Sequence, residues 1–238
     1  MKIAKNIYKW PLKWIESVYS RNCIICADSG LKKNPVCNEC KQFLPYCQTS
    51  CLKCGAFLEI QGDSQTICGK CQKQAPLFDE LNAMFWYERP IDKLIVDFKY
   101  NNQWQNIQSL FELCCDSFAA YCQDTLVVPV PSHPARIRSR GFNAVYELLK
   151  LMSTYTRFNY NDKLIIRTLN TPTQAGQSKN ARRRNLDKAF KVCRKLPSQK
   201  ILIIDDVVTT GSTVNEMSRC LKKAGAKKIG VWAMARAK

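Results

Sequence analysis

The chain has 238 residues and carries 37 Lys and Arg against 19 Asp and Glu, a formal charge of +18. Its 46% hydrophobic and 10% aromatic content excludes global disorder, and no apolar run approaches the roughly 18 residues of a membrane span. This balance fits one domain of ordinary size with a small appendage, and a field that attracts polyanions, among them nucleic acid and phosphorylated small molecules.

The first twenty residues are basic and are interrupted by Lys9, Pro11, Lys13 and Glu16, so they lack the unbroken apolar core of a secretory signal. A cytoplasmic location without stable membrane insertion is expected. Residues 1–20 read as a helical arm broken at Pro11, with Leu12, Ile15 and Tyr19 on one face, expected to dock on the protein's own body, with binding to a membrane surface as the alternative. Residues 21–75 change character: cysteines come in pairs among Gly, Pro, Asn and Lys, without an apolar period. This is a small, loop-rich unit, left through Gln74, Ala75, Pro76 and Leu77.

Residues 76–238 alternate strands and helices. Ala83–Tyr87 reads as a short strand, and Ile91, Leu94, Ile95 and Phe98 keep the spacing of a helix face. A second helix would carry Ile107, Leu110, Phe111, Cys114, Cys115, Phe118 and Cys122 on one side. Leu126–Val130 is a buried strand, and Val145, Leu148, Leu149 and Met152 mark another helix. The unbroken apolar run Ile201–Ile204 suits the centre of a parallel sheet. Val214, Met217 and Leu221 line the helix after it, and Ile229–Met234 is the last strand. The expected fold is a doubly wound, mainly parallel α/β sheet, with ligands beyond the strand C-termini.

Four C-x-x-C knuckles fall within the small unit: Cys23/Cys26, Cys37/Cys40, Cys51/Cys54 and Cys68/Cys71. Two thiolates on one tight turn reach one tetrahedral ion, and two knuckles complete a Cys₄ zinc site. Gly55, directly after Cys54, lets backbone amides turn toward sulfur. Sequential pairing, a cross-braced pairing and a single filled site are all compatible with the spacing; an iron–sulfur cluster or redox thiols are the other chemistries. Closed sites without histidine are structural, supplying folding energy to a segment too small for its own core. Two filled zinc sites would lower the formal charge by four and leave the protein strongly basic. Cys47 is left over, and Cys114, Cys115 and Cys122 read as core packing.

The most informative segment follows Ile201–Ile204. Asp205 and Asp206 come first, then Val207, Val208, Thr209, Thr210, Gly211, Ser212 and Thr213 open a helix. Helix-terminal amides and hydroxyls favour a phosphate, Gly211 allows close backbone approach, and the carboxylates suit a ribose diol. It is not a Walker loop, since no Gly-Lys-Ser/Thr occurs in it. A second segment, Val128 to Arg136 by way of Pro131, Ser132 and His133, also ends a strand, and runs on to Arg138, Arg140, Gly141, Phe142 and Asn143. His133 is the sole histidine, and Arg136, Arg138 and Arg140 alternate along what reads as a loop. Thr168–Lys179 reads as a flexible lid, with Arg182, Arg183 and Arg184 after it. Near a diphosphate, bidentate contacts from such arginines gain force.

The aspartate segment resembles the phosphoribosyl pyrophosphate (PRPP) motif of type I phosphoribosyltransferases. The resemblance implies that Asp205 and Asp206 contact the ribose hydroxyls, that Thr209–Thr213 cradle the 5′-phosphate, and that Mg²⁺ arrives with the pyrophosphate. Pro131, Ser132, His133 and Arg136 sit where that fold places its pyrophosphate loop. With the knuckles, these elements resemble the ComF family of competence-associated, phosphoribosyltransferase-like proteins with an N-terminal double zinc ribbon. The match extends over Phe98, Lys99 and Tyr100, over Arg140, Gly141, Phe142 and Asn143, and over Thr173, Gln174, Arg182 and Asn185. Ala144, Gln177 and Ala181 depart from the family pattern on the acceptor side.

The resemblance implies a PRPP-binding protein of natural transformation that handles incoming single-stranded DNA, with exposed aromatics such as Phe57 or Phe142 suited to a strand groove. Two other readings stand beside it. One is an active transferase moving ribosyl 5-phosphate onto a nitrogen acceptor. The other is a zinc-dependent adaptor for proteins of the DNA-uptake or recombination machinery.

Overall fold

The computed structural model describes residues 22–29, 31, 34–59, 66–169 and 189–238. Two compact units divide between Leu44 and Pro45. In the first, the Cys23–Cys26 turn closes through Cys23 N donating to Asp28 O (2.8 Å) and Ala27 N donating to Cys23 O (2.8 Å). Helix α1 (Asn38–Gln42) starts at Cys37, whose sulfur accepts the Cys40 amide at 3.4 Å.

The second unit opens on a knuckle segment with helix α2 (Gly69–Lys73), followed by strand β1 (Glu80–Trp86) and helices α3 (Ile91–Asn101), α4 (Trp104–Glu112) and α5 (Cys115–Cys122). Next come β2 (Leu126–Pro129), α6 (Pro134–Arg140), α7 (Ala144–Tyr155), β3 (Asn159–Tyr160), β4 (Ile165–Arg167) and β5 (Phe190–Val192). The chain ends with β6 (Lys200–Val208), α8 (Ser212–Lys223) and β7 (Lys228–Arg236). The main sheet has the order β1-β7-β6-β2-β3, every neighbouring pair parallel, while β4 and β5 form a small antiparallel pair.

β6 is central, as its apolar run requires, and both of its faces are covered. Ile201 and Ile203 pack with Met217 and Leu221 of α8 and with Phe190 of β5. Toward the other face, Trp232 is fully buried and meets Phe118 (5.4 Å) and Phe111 (6.4 Å) edge-on. Burying such side chains on both faces is the main stabilisation of the fold, each contributing about 1.5–3 kcal/mol.

Three expectations change. The helix from Ile107 to Cys122 is two helices. Cys114 N donates to Phe111 O, three residues back, and its thiol donates to Leu110 O at 3.2 Å, taking the carbonyl that would have continued the ladder. The segment carrying Arg136, Arg138 and Arg140 is helix α6 rather than a loop: Pro134 sits at its first turn, His133 caps it, and Gly141 ends it at φ +87°. Strand β6 does not end at the carboxylates but runs through them to Val208, because β7 extends to Arg236 and keeps pairing, Asp205 with Ala233 and Val208 with Arg236.

Candidate functional site

Adjacent residues of a strand point to opposite faces, and this separates the two carboxylates of β6. Asp206 meets α3, where Lys99 Nζ lies 2.7 Å from its Oδ1 and both side chains are largely buried. Asp205 accepts the Asp206 amide at 2.9 Å and lies in the electrostatic field of Arg167 on β4, which also feels Arg136. Burial, and then the Asp206 carboxylate beside it, push Asp205 up to about 8. Burial and the neighbouring Arg136 lower Arg167.

After Val208 the chain turns into α8. Gly211 caps the helix at φ +76°, a left-handed conformation that costs an L side chain about 1–2 kcal/mol. A Cβ there would meet nothing within 4 Å, so the glycine serves the backbone turn and leaves open space over the helix N-terminus. Thr210 Oγ1 and Ser212 Oγ are hydrogen-bonded at 2.8 Å, and Ser212 N donates to Thr210 Oγ1 at 3.3 Å. Thr209, Thr210 and Ser212 are exposed. The result is an open cup of hydroxyls and helix-start amides beside two carboxylates, suited to an anion bearing a diol.

Beyond β2, the Pro131–Arg136 segment is pinned from both sides. Ser132 Oγ donates to Asn143 Oδ1 at 3.0 Å, and that oxygen also accepts Tyr146 N at the start of α7. His133 Nδ1 accepts Ala135 N at 3.1 Å. The histidine is thus a helix cap, with Nε2 left as the nitrogen able to face a ligand. Arg140 stacks over Tyr100 at 5.0 Å and donates to its hydroxyl at 3.3 Å. Gln174 and Arg182, with Thr173, Asn185, most of the lid and the arm 1–20, lie outside the described residues.

Each group of four cysteines gathers sequentially. Cys23, Cys26, Cys37 and Cys40 bring their sulfurs within 4.8 Å of one another, as do Cys51, Cys54, Cys68 and Cys71. Cys26 and Cys37 sulfurs are 3.8 Å apart, and Cys54 and Cys68 sulfurs 3.7 Å. With Zn–S near 2.3 Å, a tetrahedron has edges of about 3.8 Å, so both clusters fit zinc. Backbone amides aim at the sulfurs, Cys37 N at Cys23 (3.5 Å) and Cys68 N at Cys51 (3.3 Å). Burial opposes ionisation of Cys23, but the amides of Cys26, Cys37 and Ile25 bring it down to about 6. Gly55 takes φ +63°, and a Cβ there would strike Leu81 Cδ2 at 2.5 Å. Cys47 stands outside both clusters.

Three cationic residues take roles that the sequence did not assign to them, Lys99 having entered only as a point of the family match. Lys99 continues the apolar face of α3 one turn after Ile95, a place where a lysine signals a buried partner. Arg167 sits on a three-residue strand too short for periodicity to reveal. Arg236 is 7% exposed at the end of β7 and, among the described residues, donates to backbone carbonyls.

The parallel sheet with its carboxylate–hydroxyl turn defines a type I phosphoribosyltransferase fold, here preceded by zinc-ribbon cysteine clusters, and residues 167–238 match the phosphoribosyl transferase domain family. Relatives extend the match to the cysteine region. The chain is 32% identical over 232 residues to Competence protein F of Haemophilus influenzae, covering 92% of this chain and 98% of that protein. It is 30% identical over 207 residues to DNA utilization protein YhgH of Escherichia coli O157:H7 (84% and 90% covered), and 29% identical over 157 residues to Competence protein ComFC of Streptococcus pneumoniae (65% and 67%). The chain belongs to the ComF family of competence proteins.

Proposed function

We propose that this protein binds PRPP with Mg²⁺ at the β6–α8 turn and serves natural transformation in the cytoplasm by handling incoming single-stranded DNA. The observation that carries the ligand reading is the pair of adjacent carboxylates followed by the open, hydroxyl-lined turn at Gly211. In this reading Asp205 and Asp206 take the ribose diol, with Lys99 holding one Asp206 oxygen and leaving the other for a hydroxyl. Thr209 to Thr213 hold the 5′-phosphate. Pro131, Ser132, His133 and Arg136 face the pyrophosphate, and Mg²⁺ bound to it would neutralise its charge. Gln174, Arg182 and Arg140 are the further candidates on the lid and the basic side.

The DNA role is supported by what the relatives are called, competence and DNA utilization proteins, by the formal charge of +18, and by exposed aromatics beside arginine. Tyr100 is 67% exposed and Trp104 42%. Asn102, at φ +54°, turns the chain sharply between α3 and α4, so these rings sit close along the sequence at one corner. Phe142 is half-buried and packs on Trp104 (4.8 Å) and Phe98 (5.5 Å), so it supports the corner more than it presents itself. Phe57 is 41% exposed, with Lys238 over its ring at 5.1 Å.

The cations around Asp205 favour a second reading, transfer of ribosyl 5-phosphate. A nitrogen lone pair would form the new bond at the sugar's anomeric carbon as the bond to pyrophosphate breaks, with the electron pair leaving on pyrophosphate and the acceptor releasing its proton. Arg136 and Arg167 would stabilise the departing charge.

Calorimetric titration of PRPP with Mg²⁺ tests the ligand. Saturable binding that is lost in the Asp205→Asn, Asp206→Asn double variant is expected. Equal binding by both proteins would remove the ligand from this loop, and no binding by the unsubstituted chain would leave the fold as a scaffold.

A further inference from the structure

We propose that Arg236 is a positioning residue that couples the Cys51–Cys54–Cys68–Cys71 metal cluster to the phosphate loop, so that loss of metal from this cluster weakens the grip on a phosphorylated sugar. The ligand half of this statement rests on the function proposed above; the coupling between cluster and loop does not.

One side chain spans both places. Arg236 Nε donates to Cys54 O at 3.2 Å, while Nη1 donates to Val208 O at 3.3 Å, to Thr209 O and to Ala237 O at 2.7 Å. Cys54 belongs to the second knuckle pair, and Thr209 is the first hydroxyl residue of the loop. The guanidinium is buried, and among the described residues four backbone carbonyls accept from it, so carbonyl dipoles, with the Cys54 and Cys47 sulfurs nearby, compensate its charge. Burial accordingly lowers it below the usual arginine range. A buried cation held this way fixes its acceptors: releasing Cys54 O leaves the Nε N–H unsatisfied, and withdrawing a carbonyl from Nη1 removes part of the dipole field that compensates the charge.

The peptide plane transmits that constraint. In a trans peptide the C=O of one residue and the N–H of the next point in opposite directions. Anchoring Thr209 O on Arg236 therefore turns Thr210 N–H away from the arginine. On the cluster side, Cys54 O is held in place by the knuckle turn. Gly55 N donates to Cys51 O at 2.7 Å and Cys51 N to Ala56 O at 2.8 Å, a turn that four sulfurs on one ion would keep closed. Opening the knuckle removes the Nε acceptor, and the guanidinium then has reason to reorient toward water. A lysine would keep the charge but lose the planar fork that reaches both carbonyl sets at once.

The experiment is a double-variant cycle on the full chain with Arg236→Lys, Cys68→Ser and the pair. It reads PRPP·Mg²⁺ affinity, zinc content and hydrogen exchange of the 209–213 amides. Each single variant is expected to bind at least ten-fold more weakly and to exchange faster at 209–213, with Arg236→Lys retaining its zinc. Adding Cys68→Ser to Arg236→Lys is expected to change affinity and exchange by less than two-fold. Effects that multiply in full, or unchanged exchange in Cys68→Ser, overturn the proposal. Should Arg236→Lys fail to fold, chelator titration of the unsubstituted chain takes its place. Exchange at 209–213 must then rise with zinc release, and exchange that stays flat until global unfolding overturns the coupling. If the unsubstituted chain binds no PRPP, the ligand reading falls while exchange still decides the coupling.

Discussion

Lys99 Nζ and Asp206 Oδ1 are 2.7 Å apart, joining the last turn of α3 to the central strand just before the β6–α8 turn. Both groups are largely buried, so each charge depends on the other. Removing one partner of a buried pair typically costs about 3–5 kcal/mol, because the remaining charge is left uncompensated. Lys99→Met is therefore expected to lower unfolding stability by about 3 kcal/mol. Lys99→Met combined with Asp206→Asn should recover part of that loss. Urea denaturation of Lys99→Met, Asp206→Asn and the double variant measures this, and a double-variant loss equal to the sum of the two single losses would show that the pair is not coupled.

The alternation of apolar strands and helices was legible because β6 and β7 are buried on both faces and read as continuous runs, and because α3, α7 and α8 each keep one apolar side. The aspartate turn and the eight cysteines were legible because their chemistry needs particular residues at short spacing. Helix α6 was obscured by its arginines, although Pro134 and Gly141 bracket it as start and stop signals. The roles of Lys99, Arg167 and Arg236 were not legible. Each depends on a partner far along the chain, 107 positions on for Lys99 and 182 back from Arg236 to Cys54, and local periodicity carries no information on such pairs.

Asp205 makes stability depend on pH. Its folded value of about 8 stands above the ordinary 3.8, so the native state holds a proton that the unfolded chain has lost. The contribution is fully present below about pH 4 and is lost as pH rises through 8. One proton gives a slope of at most about 1.4 kcal/mol per pH unit. Asp205→Asn should flatten this decline, being close to neutral at pH 4 and stabilising at pH 9. Thermal melts across that range check the prediction, and parallel curves for the two proteins would contradict it.

Metal analysis should find two zinc ions per chain, one for each cysteine cluster. Cys26→Ser and Cys54→Ser should each remove one, since the clusters share no ligand. Removal of both by a strong chelator should abolish the cooperative melting of the knuckle segments, because binding energy of this kind is folding energy. A single zinc in the unsubstituted protein, or loss of both on one substitution, would point to a shared or half-filled arrangement.

Tyr100 and Trp104 are exposed rings, Arg140 lying over the Tyr100 face at 5.0 Å and Trp104 packing on Phe142 at 4.8 Å. Aromatic faces accept any base, and each stacked base contributes about 1–3 kcal/mol. Tyr100→Ala and Trp104→Ala should therefore each weaken single-stranded DNA binding by about ten-fold or more, without sequence preference. Tyr100→Phe should bind as the unsubstituted chain does if the ring face matters and the hydroxyl does not. Arginine and lysine contacts to phosphates act through released counterions, so affinity should fall steeply with salt. Stacking variants should keep that salt slope while losing affinity, whereas Arg138→Gln, on the exposed side of α6, should make it shallower. Fluorescence anisotropy with a labelled oligothymidylate at several salt concentrations separates the two contributions. Tyr100→Ala and Trp104→Ala that bind as tightly as the unsubstituted chain would move the strand away from this corner, and affinity indifferent to salt would remove the electrostatic account altogether.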